Sequence, residues 1–379
     1  MRILYLHQFF ITRAGVGGTR SYEFARRFAA AGHSVRMVTA GSGRTVVDGI
    51  EVVGVRGGYA DYVTATAVAY PRRMAAFARF ALGATAAALR GPRPDVVYAT
   101  SPPLTMALPA LAASLRWRAP LVFEVRDLWP EAPIQMGALR SPLLRRGARA
   151  LERFVYRRAR RLIALSPGIR DGMVAAGAPA DQVALVPNAA DLDLFHPTPP
   201  PERFTVSYFG TMGEANDLSA ALEAARMLED VDFVLMGDGK RRAELERDSP
   251  PNVTFTGPAG SKDEVARLAG RSSACLTLFK DVPVLTTNSP NKLFDTFAAG
   301  RPAIVNMDGW MRELVEGAHA GVYVRAGDAR DLADKVAWLR DHPADAARMG
   351  RNARALAERE FDRDALAARA LAVLEEAAR

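Results

Sequence analysis

Ser289-Pro290-Asn291-Lys292-Leu293-Phe294-Asp295 runs directly into Thr296-Phe297-Ala298-Ala299-Gly300-Arg301-Pro302. A proline near the start and a Gly-x-Pro stop mark out one short helix, Asn291–Ala299. Lys292 falls in its first turn, where free backbone N–H groups and the positive dipole end already attract a phosphate. Asp295 follows one turn later, so an ammonium and a carboxylate are expected on one helix face. A lysine for a diphosphate and a carboxylate for ribose hydroxyls is what holding a nucleoside diphosphate requires. The same spacing also makes a plain surface ion pair. The apolar Leu293, Phe294 and Phe297 beside the two charges argue for a site held against a core, with Ser289, Pro290 and Asn291 at its rim.

Three further segments carry chemistry. Gly15-Val16-Gly17-Gly18-Thr19-Arg20 follows the first strand, and Gly17 and Gly18 allow an anion close to a helix start, with Arg20 beside it. An ordinary turn reads the same way. The segment is not Gly-x-Gly-x-x-Gly, and no acidic residue ends the second strand, which disfavours a nicotinamide cofactor. Phe123-Glu124-Val125-Arg126-Asp127-Leu128-Trp129-Pro130-Glu131 closes a strand that is apolar on both faces. Such charges at a strand's carboxyl end are costly unless they serve a cleft or pair among themselves. Arg126 and Asp127 are the catalytic candidates there, and Asp127 and Glu131 the acceptor contacts. Met236-Gly237-Asp238-Gly239 ends another strand; Gly237 and Asp238 contact a nucleotide or simply form a tight turn. The pairs Asp191-x-Asp193, Asp230-x-Asp232 and Asp362-x-Asp364 look compositional, so no metal is assigned.

These segments need a scaffold that delivers strand ends to one place. Short β-like runs alternate with helical patterns: Ile3–Leu6, Ser34–Thr39, Gly49–Val55, Val96–Ala99, Leu121–Val125, Arg161–Leu165 and Val183–Val186 in the first half. Thr205–Phe209, Phe233–Met236, Val253–Phe255, Ala274–Thr277, Ala303–Asn306 and Gly321–Val324 follow in the second. Alternation of this kind predicts parallel sheets covered by helices. Residues 187–202, with Pro197, Pro199, Pro200 and Pro201, read as a semi-stiff connector. The expected fold is therefore α/β: two Rossmann-like doubly wound domains facing across a cleft, over 1–186 and 203–360. A terminal helix over 361–379 would brace them. Ligands in such sheets sit at the carboxyl ends of the strands.

The length of 379 residues suits two cores better than one. A single cysteine, Cys275, excludes an internal disulfide and fits a reducing, cytoplasmic setting. Met1-Arg2 leads straight into a strand, so no leader is expected, and no apolar run is long enough to span a membrane. The net charge of +8 conceals an asymmetry. Residues 1–186 hold 26 Arg against 11 acids, and residues 187–379 hold 24 basic residues against 31 acids. Nine arginines and one acid, Glu152, lie between Arg140 and Arg161. The basic half faces solvent alone or an anionic membrane at the inner face of the cell; no nucleic-acid-binding module accompanies it. The Ala-rich stretch Met74–Arg90 is a helix, either buried or dipping Phe77 and Phe80 into a membrane interface.

At this point the chain resembles the retaining glycosyltransferases of family 4, which have the GT-B fold. The resemblance rests on Ala31-Gly32-His33-Ser34-Val35, on Val186-Pro187-Asn188-Ala189-Ala190-Asp191-Leu192-Asp193-Leu194-Phe195, and on Leu235-Met236-Gly237-Asp238-Gly239. Phe255-Thr256-Gly257 and Ala298-Ala299-Gly300-Arg301-Pro302 complete it, in order and spacing. Arg126-Asp127-Leu128-Trp129-Pro130-Glu131 and Ser289-Pro290-x-Lys292 look closest to a subgroup that builds bacterial surface polysaccharides, often from N-acetylated aminosugars such as fucosamine. The resemblance implies transfer from a nucleotide-diphosphate donor, usually UDP-linked, to a glycan, lipid-diphosphate or small-molecule acceptor, without a cofactor or metal. Carried over by position, Lys292 meets the diphosphate and Asp295 the ribose, while Gly17 and Gly18 reach the diphosphate from the first domain. Thr287 stands where many members have a glutamate, and Arg126 where many have a histidine. Glu214 and Asp217 follow the Gly210-Thr211-Met212-Gly213 loop where many carry basic phosphate ligands. A UDP-sugar 2-epimerase of the same fold and a non-catalytic nucleotide-sugar-binding scaffold are the alternatives.

Overall fold

The computed structural model describes residues 1–15, 17–59, 68 and 70–379; Val16, within the glycine turn, lies outside them. Among the described residues, fourteen strands fall in two sheets. The first contains β1 (Arg2–Leu6), β2 (Ser34–Ala40), β3 (Gly43–Val47), β4 (Ile50–Val55), β5 (Val96–Ser101), β6 (Leu121–Val125), β7 (Arg161–Ala164) and β8 (Val183–Leu185). Its order is β3-β4-β2-β1-β5-β6-β7-β8. The second contains β9 (Thr205–Phe209), β10 (Asp232–Met236), β11 (Val253–Gly257), β12 (Ala274–Thr277), β13 (Ala303–Val305) and β14 (Gly321–Tyr323), in the order β11-β10-β9-β12-β13-β14. Every pairing is parallel except β3 with β4. In both sheets the order reverses beside the first strand, at β1 and at β9, which defines the ligand-binding edge of a doubly wound fold.

Strand β3 was not expected. Asp48 and Gly49 both take positive φ, 47° and 78°, the conformation a two-residue hairpin demands. Asp-Gly between two β-like runs is that signal, but exposed, polar Arg44 and Thr45 give β3 no buried pattern to read. The helix Pro343–Glu360 was likewise missed; its many alanines and arginines give it a weak apolar stripe. The helix Tyr70–Ala88 begins earlier than expected. Phe77 and Phe80 within it are buried, so they belong to the protein core and not to a membrane interface.

The chain divides into two units: Met1–Thr12, Gly18–Pro187 and Asp364–Arg379 form the first, Arg13–Gly17 and Asn188–Arg363 the second. The C-terminal helix Arg363–Ala378 thus belongs almost wholly to the first unit. Among the described residues no helix is long and apolar enough to cross a membrane.

The second unit's core is built on β9, β10 and β12 with Leu218, Leu222, Leu332, Val336 and Leu339 packed over them. The helix Asn291–Ala298 is pinned by aromatic contacts. Phe294 lies 4.7 Å from the Phe361 ring and 6.2 Å from Phe297. Truncating such a phenylalanine to alanine costs about 3–5 kcal/mol, so this face fixes the direction in which Lys292 can point.

Candidate functional site

In the second unit, three of the expected segments converge at the carboxyl edge of the sheet. The loop after β9 and the turn after β10 are bonded to each other: Gly210 N–H donates to Met236 O at 3.0 Å and Met212 N–H to Asp238 O at 2.8 Å. A Cβ on Gly237 would stand 1.8 Å from Gly210 O, and its φ is 151°. Gly237 is therefore required for the two loops to meet. The Asp238 carboxylate caps its own turn, accepting from Gly239 N–H at 2.8 Å.

Lys292 reaches this loop from the first turn of its helix. Its ammonium donates to Tyr208 Oη at 2.9 Å and to Asn216 Oδ1 at 3.1 Å. It also lies 4.1 Å from the centre of the Tyr208 ring and 5.4 Å from that of Phe279, a cation–π setting. Tyr208 Oη in turn donates to Thr211 O at 2.6 Å. Among the described residues no carboxylate pairs with Lys292, and burial alone lowers its pKa to about 7. Gly210 takes φ 144°, a conformation that favours glycine, and a Cβ there would come within 3.2 Å of the ammonium.

Asp295 does something different from what its spacing suggested. It is 2% exposed, and Oδ2 takes Lys262 Nζ at 2.5 Å, while Oδ1 has no hydrogen-bond partner. Burial raises its pKa against the opposing pull of Lys262. Lys292 and Asp295 thus leave one helix into separate environments, and the carboxylate is engaged by a buried lysine rather than displayed. Ser289 is buried as well: its Oγ accepts from Asn188 N–H at 3.2 Å and its carbonyl from the Asn188 amide. Pro290 supplies the N-cap, and Asn291, half-buried, opens the helix.

Arg20, in the first unit, is a correction. Its side chain and that of Glu124 are 0% exposed and joined at 2.8 Å. Arg20 also donates to Val186 O at 2.9 Å and to Pro187 O, and Tyr98 Oη donates to Glu124 at 2.6 Å. Burial opposes the charge on Glu124, yet Arg20 wins and holds its carboxyl below the usual range. Arg20 therefore ties β6 to the end of the first unit's sheet, and its guanidinium is not available to a ligand. Gly17 (φ 137°) and Gly18 do lie just ahead of the helix Arg20–Ala30. Glu131 is held at the surface by Arg149, at 2.6 Å. Arg126 and Asp127 remain at the carboxyl end of β6, half-buried, and burial raises the Asp127 pKa.

Sequence reasoning missed His7 and Gln8 at the end of β1. Both are buried; His7 Nδ1 meets Ser21 Oγ, while His7 Nε2 and Gln8 Oε1 have no partner. Burial, then the nearby Arg126 charge, lowers the His7 pKa well below its usual value. A polar pair closing an apolar strand was the available signal. Tyr208 and Asn216 were missed too, being ordinary residues of a strand and a loop.

The Asp-x-Asp pairs hold arginines: Asp191 pairs with Arg363, Asp230 with Arg340 and Asp232 with Arg203. Among the described residues no group of three or more His, Cys, Asp or Glu could hold a metal ion. A cavity of about 870 Å³ opens at the opposite edge of the second sheet, by Phe204, Ser273 and Pro302. Of the arginines that line it, Arg203, Arg340 and Arg354 face Asp232, Asp230 and Glu358, and Arg301 donates to Thr198 O.

Two doubly wound sheets with a nucleotide-type edge define a GT-B architecture, and comparison with known proteins bears this out. A glycosyl transferase 4-like domain matches residues 16–189 and a glycosyl transferases group 1 domain matches residues 203–342. The chain is a glycosyltransferase built from a family 4-like and a group 1 domain. It is similar to sucrose-phosphate synthase from Thermosynechococcus elongatus (TM-score 0.81, 16% identity, 99% of this chain and 98% of that one). It is also similar to HepE from Anabaena in complex with UDP-glucose (TM-score 0.74, 19% identity, 99% and 100%). A third similar structure is WaaG, a glycosyltransferase involved in lipopolysaccharide biosynthesis (TM-score 0.69, 15% identity, 99% and 99%). No curated protein gives a significant match.

Proposed function

We propose that this glycosyltransferase moves an N-acetylated aminosugar from a UDP-linked donor to a lipid-diphosphate acceptor, with retention at the anomeric carbon. The observation that carries the reading is the Lys292 ammonium. It is enclosed by Tyr208, Asn216 and Phe279, lacks a carboxylate partner among the described residues, and sits at a helix N-terminus on the binding edge of the second sheet. A diphosphate is the ligand that completes such a site. The similar HepE structures hold UDP and UDP-glucose, which supports a uridine donor.

Departure of the nucleoside diphosphate builds negative charge on the leaving phosphate. Lys292 and the N–H groups of its helix's first turn stabilise that charge more in the transition state than in the ground state. Among the described residues no carboxylate pairs with Lys292, which favours front-face attack, with the leaving phosphate accepting the acceptor's proton. Asp127 and Arg126, at the carboxyl end of β6, are assigned to the acceptor. Gly17 and Gly18 are assigned to the diphosphate.

The surface of the first unit favours a lipid-linked acceptor. On the arginine-rich helix Pro142–Arg158, Leu143, Leu144 and Phe154 are exposed. Leu143 and Phe154 are eleven residues apart and so share a face. Apolar side chains among arginines make an interfacial helix suited to an anionic leaflet.

The test is incubation with UDP- and GDP-linked aminosugars and a polyprenyl-diphosphate acceptor in EDTA. Mass spectrometry and the product's anomeric proton coupling give the readout. Free UDP together with a sugar-bearing lipid of retained configuration is the expected result. An epimerised nucleotide sugar without free UDP would replace the reading by an epimerase. UDP binding with no turnover on any acceptor would make the protein a scaffold.

A further inference from the structure

Lys292 is half-buried, and its ammonium is held in an unusual way for a cation drawn back from water. Buried lysines are normally paired with a carboxylate, because an isolated charge in a low-dielectric setting is costly. Here both hydrogen-bond partners are neutral: a phenol at 2.9 Å and a carboxamide oxygen at 3.1 Å. Burial pushes the Tyr208 phenol's pKa up, so it stays a neutral hydroxyl at any working pH. The charged groups on the surrounding elements are all turned to other partners or lie out of ion-pair range. On the loop after β9, Glu214 meets Lys240 and Lys280, and Asp217 precedes the next helix. After β12, Lys280 takes Glu214, and no neighbouring charge, Asp281 included, acts on Lys292; after β10, Asp238 caps its own turn. On the lysine's own helix, Asp295 belongs to Lys262.

We propose that Tyr208 and Asn216 are positioning residues that aim an uncompensated Lys292 amine at the donor's diphosphate, so that binding the diphosphate draws a proton onto that amine. This rests on the reading of Lys292 as the diphosphate ligand. The logic is electrostatic. Without an anion, the enclosed amine gains little from being charged, and burial lowers its pKa to about 7. With a diphosphate in place, an opposite charge a few ångströms away favours the ammonium strongly. The two states therefore differ in bound protons, and affinity must depend on pH by linkage. Asn216 sets this behaviour because its Oδ1 offers a hydrogen bond and a direction without a countercharge. A carboxylate at that position would keep the amine protonated in the free protein and would compete with the phosphate.

The test is calorimetric titration of the full chain with UDP in two buffers of different ionisation enthalpy, at pH 8 and pH 9. The terminal phosphate of UDP, with a pKa near 6 like that of other phosphate monoesters, is fully ionised at both. For an amine with a pKa near 7, wild type takes up about 0.9 proton per UDP at pH 8, and its affinity falls about tenfold from pH 8 to pH 9. Asn216→Asp, nearly isosteric, binds more weakly but takes up no proton at pH 8 and loses the pH dependence. Tyr208→Phe keeps the aromatic ring and the proton uptake but loses affinity. Melting curves of the variants confirm that each is folded. Wild-type binding without proton uptake, combined with loss of binding in Lys292→Ala, would overturn the proposal while leaving Lys292 as the phosphate ligand. Proton uptake unchanged in Asn216→Asp would overturn the role of Asn216. UDP binding indifferent to Lys292→Ala would remove the reading on which the proposal stands.

Discussion

Replacing Asp295 by asparagine separates a structural carboxylate from a ligand-binding one. The residue and Lys262 form a contact of 2.5 Å, with side chains only 3% and 8% exposed. Removing one partner of a buried pair leaves the other charge uncompensated, which costs about 3–5 kcal/mol. At about 2–4 °C per kcal/mol for a domain of this size, Asp295→Asn should lower the melting temperature by roughly 6–20 °C. Lys262→Met should do about the same. Asp295→Leu combined with Lys262→Met should recover much of the loss, because a buried pair and an apolar pair of similar volume are often equivalent. Differential scanning calorimetry measures the stability, and a UDP titration below the melting range measures the site. The double variant should bind UDP within a few-fold of wild type. If Asp295→Asn melts normally yet loses UDP, the carboxylate is a ribose ligand and the structural reasoning is refuted.

Arg20→Met should destabilise the protein by about 3–5 kcal/mol, since Glu124 would be left buried without its cation; urea unfolding measures it, and a neutral result would reopen Arg20 as a ligand contact. Glu152 makes a pH-dependent contribution. Burial raises its pKa from 4.5 to about 7, so the folded state holds a proton that the unfolded state has lost between those values. Stability therefore falls as pH rises from about 4.5 to 7, by up to about 3 kcal/mol at 1.36 kcal/mol per unit. Glu152→Gln, which still accepts from Tyr156, should gain up to that amount at pH 8 and nothing at pH 4; equal effects at both would contradict the burial argument.

The doubly wound halves were legible because parallel strands buried on both faces read as short apolar runs, and helices between them read at their own period. The helix that carries Lys292 was also legible, through Pro290 and Gly300. Partners distant in sequence stayed hidden. Tyr208 and Asn216 lie 84 and 76 residues before Lys292, and nothing local marks them. Arg20 looked like part of an anion loop because its neighbours are glycines, but its partner Glu124 is 104 residues away and was read as part of another site. Asp295 was misjudged for a similar reason: helical spacing placed it beside Lys292, whereas Lys262, from a different helix, claims it. Spacing along one element shows which side chains share a face. It does not show what the rest of the fold brings against that face.

The central claim is that Lys292 binds the donor's diphosphate. Its most direct test is the UDP affinity of wild type and Lys292→Ala, measured calorimetrically at pH 7 with EDTA present. A charge-assisted bond of about 1.5–3 kcal/mol predicts a loss of roughly 10- to 150-fold. Equal affinities in the two proteins would contradict the account.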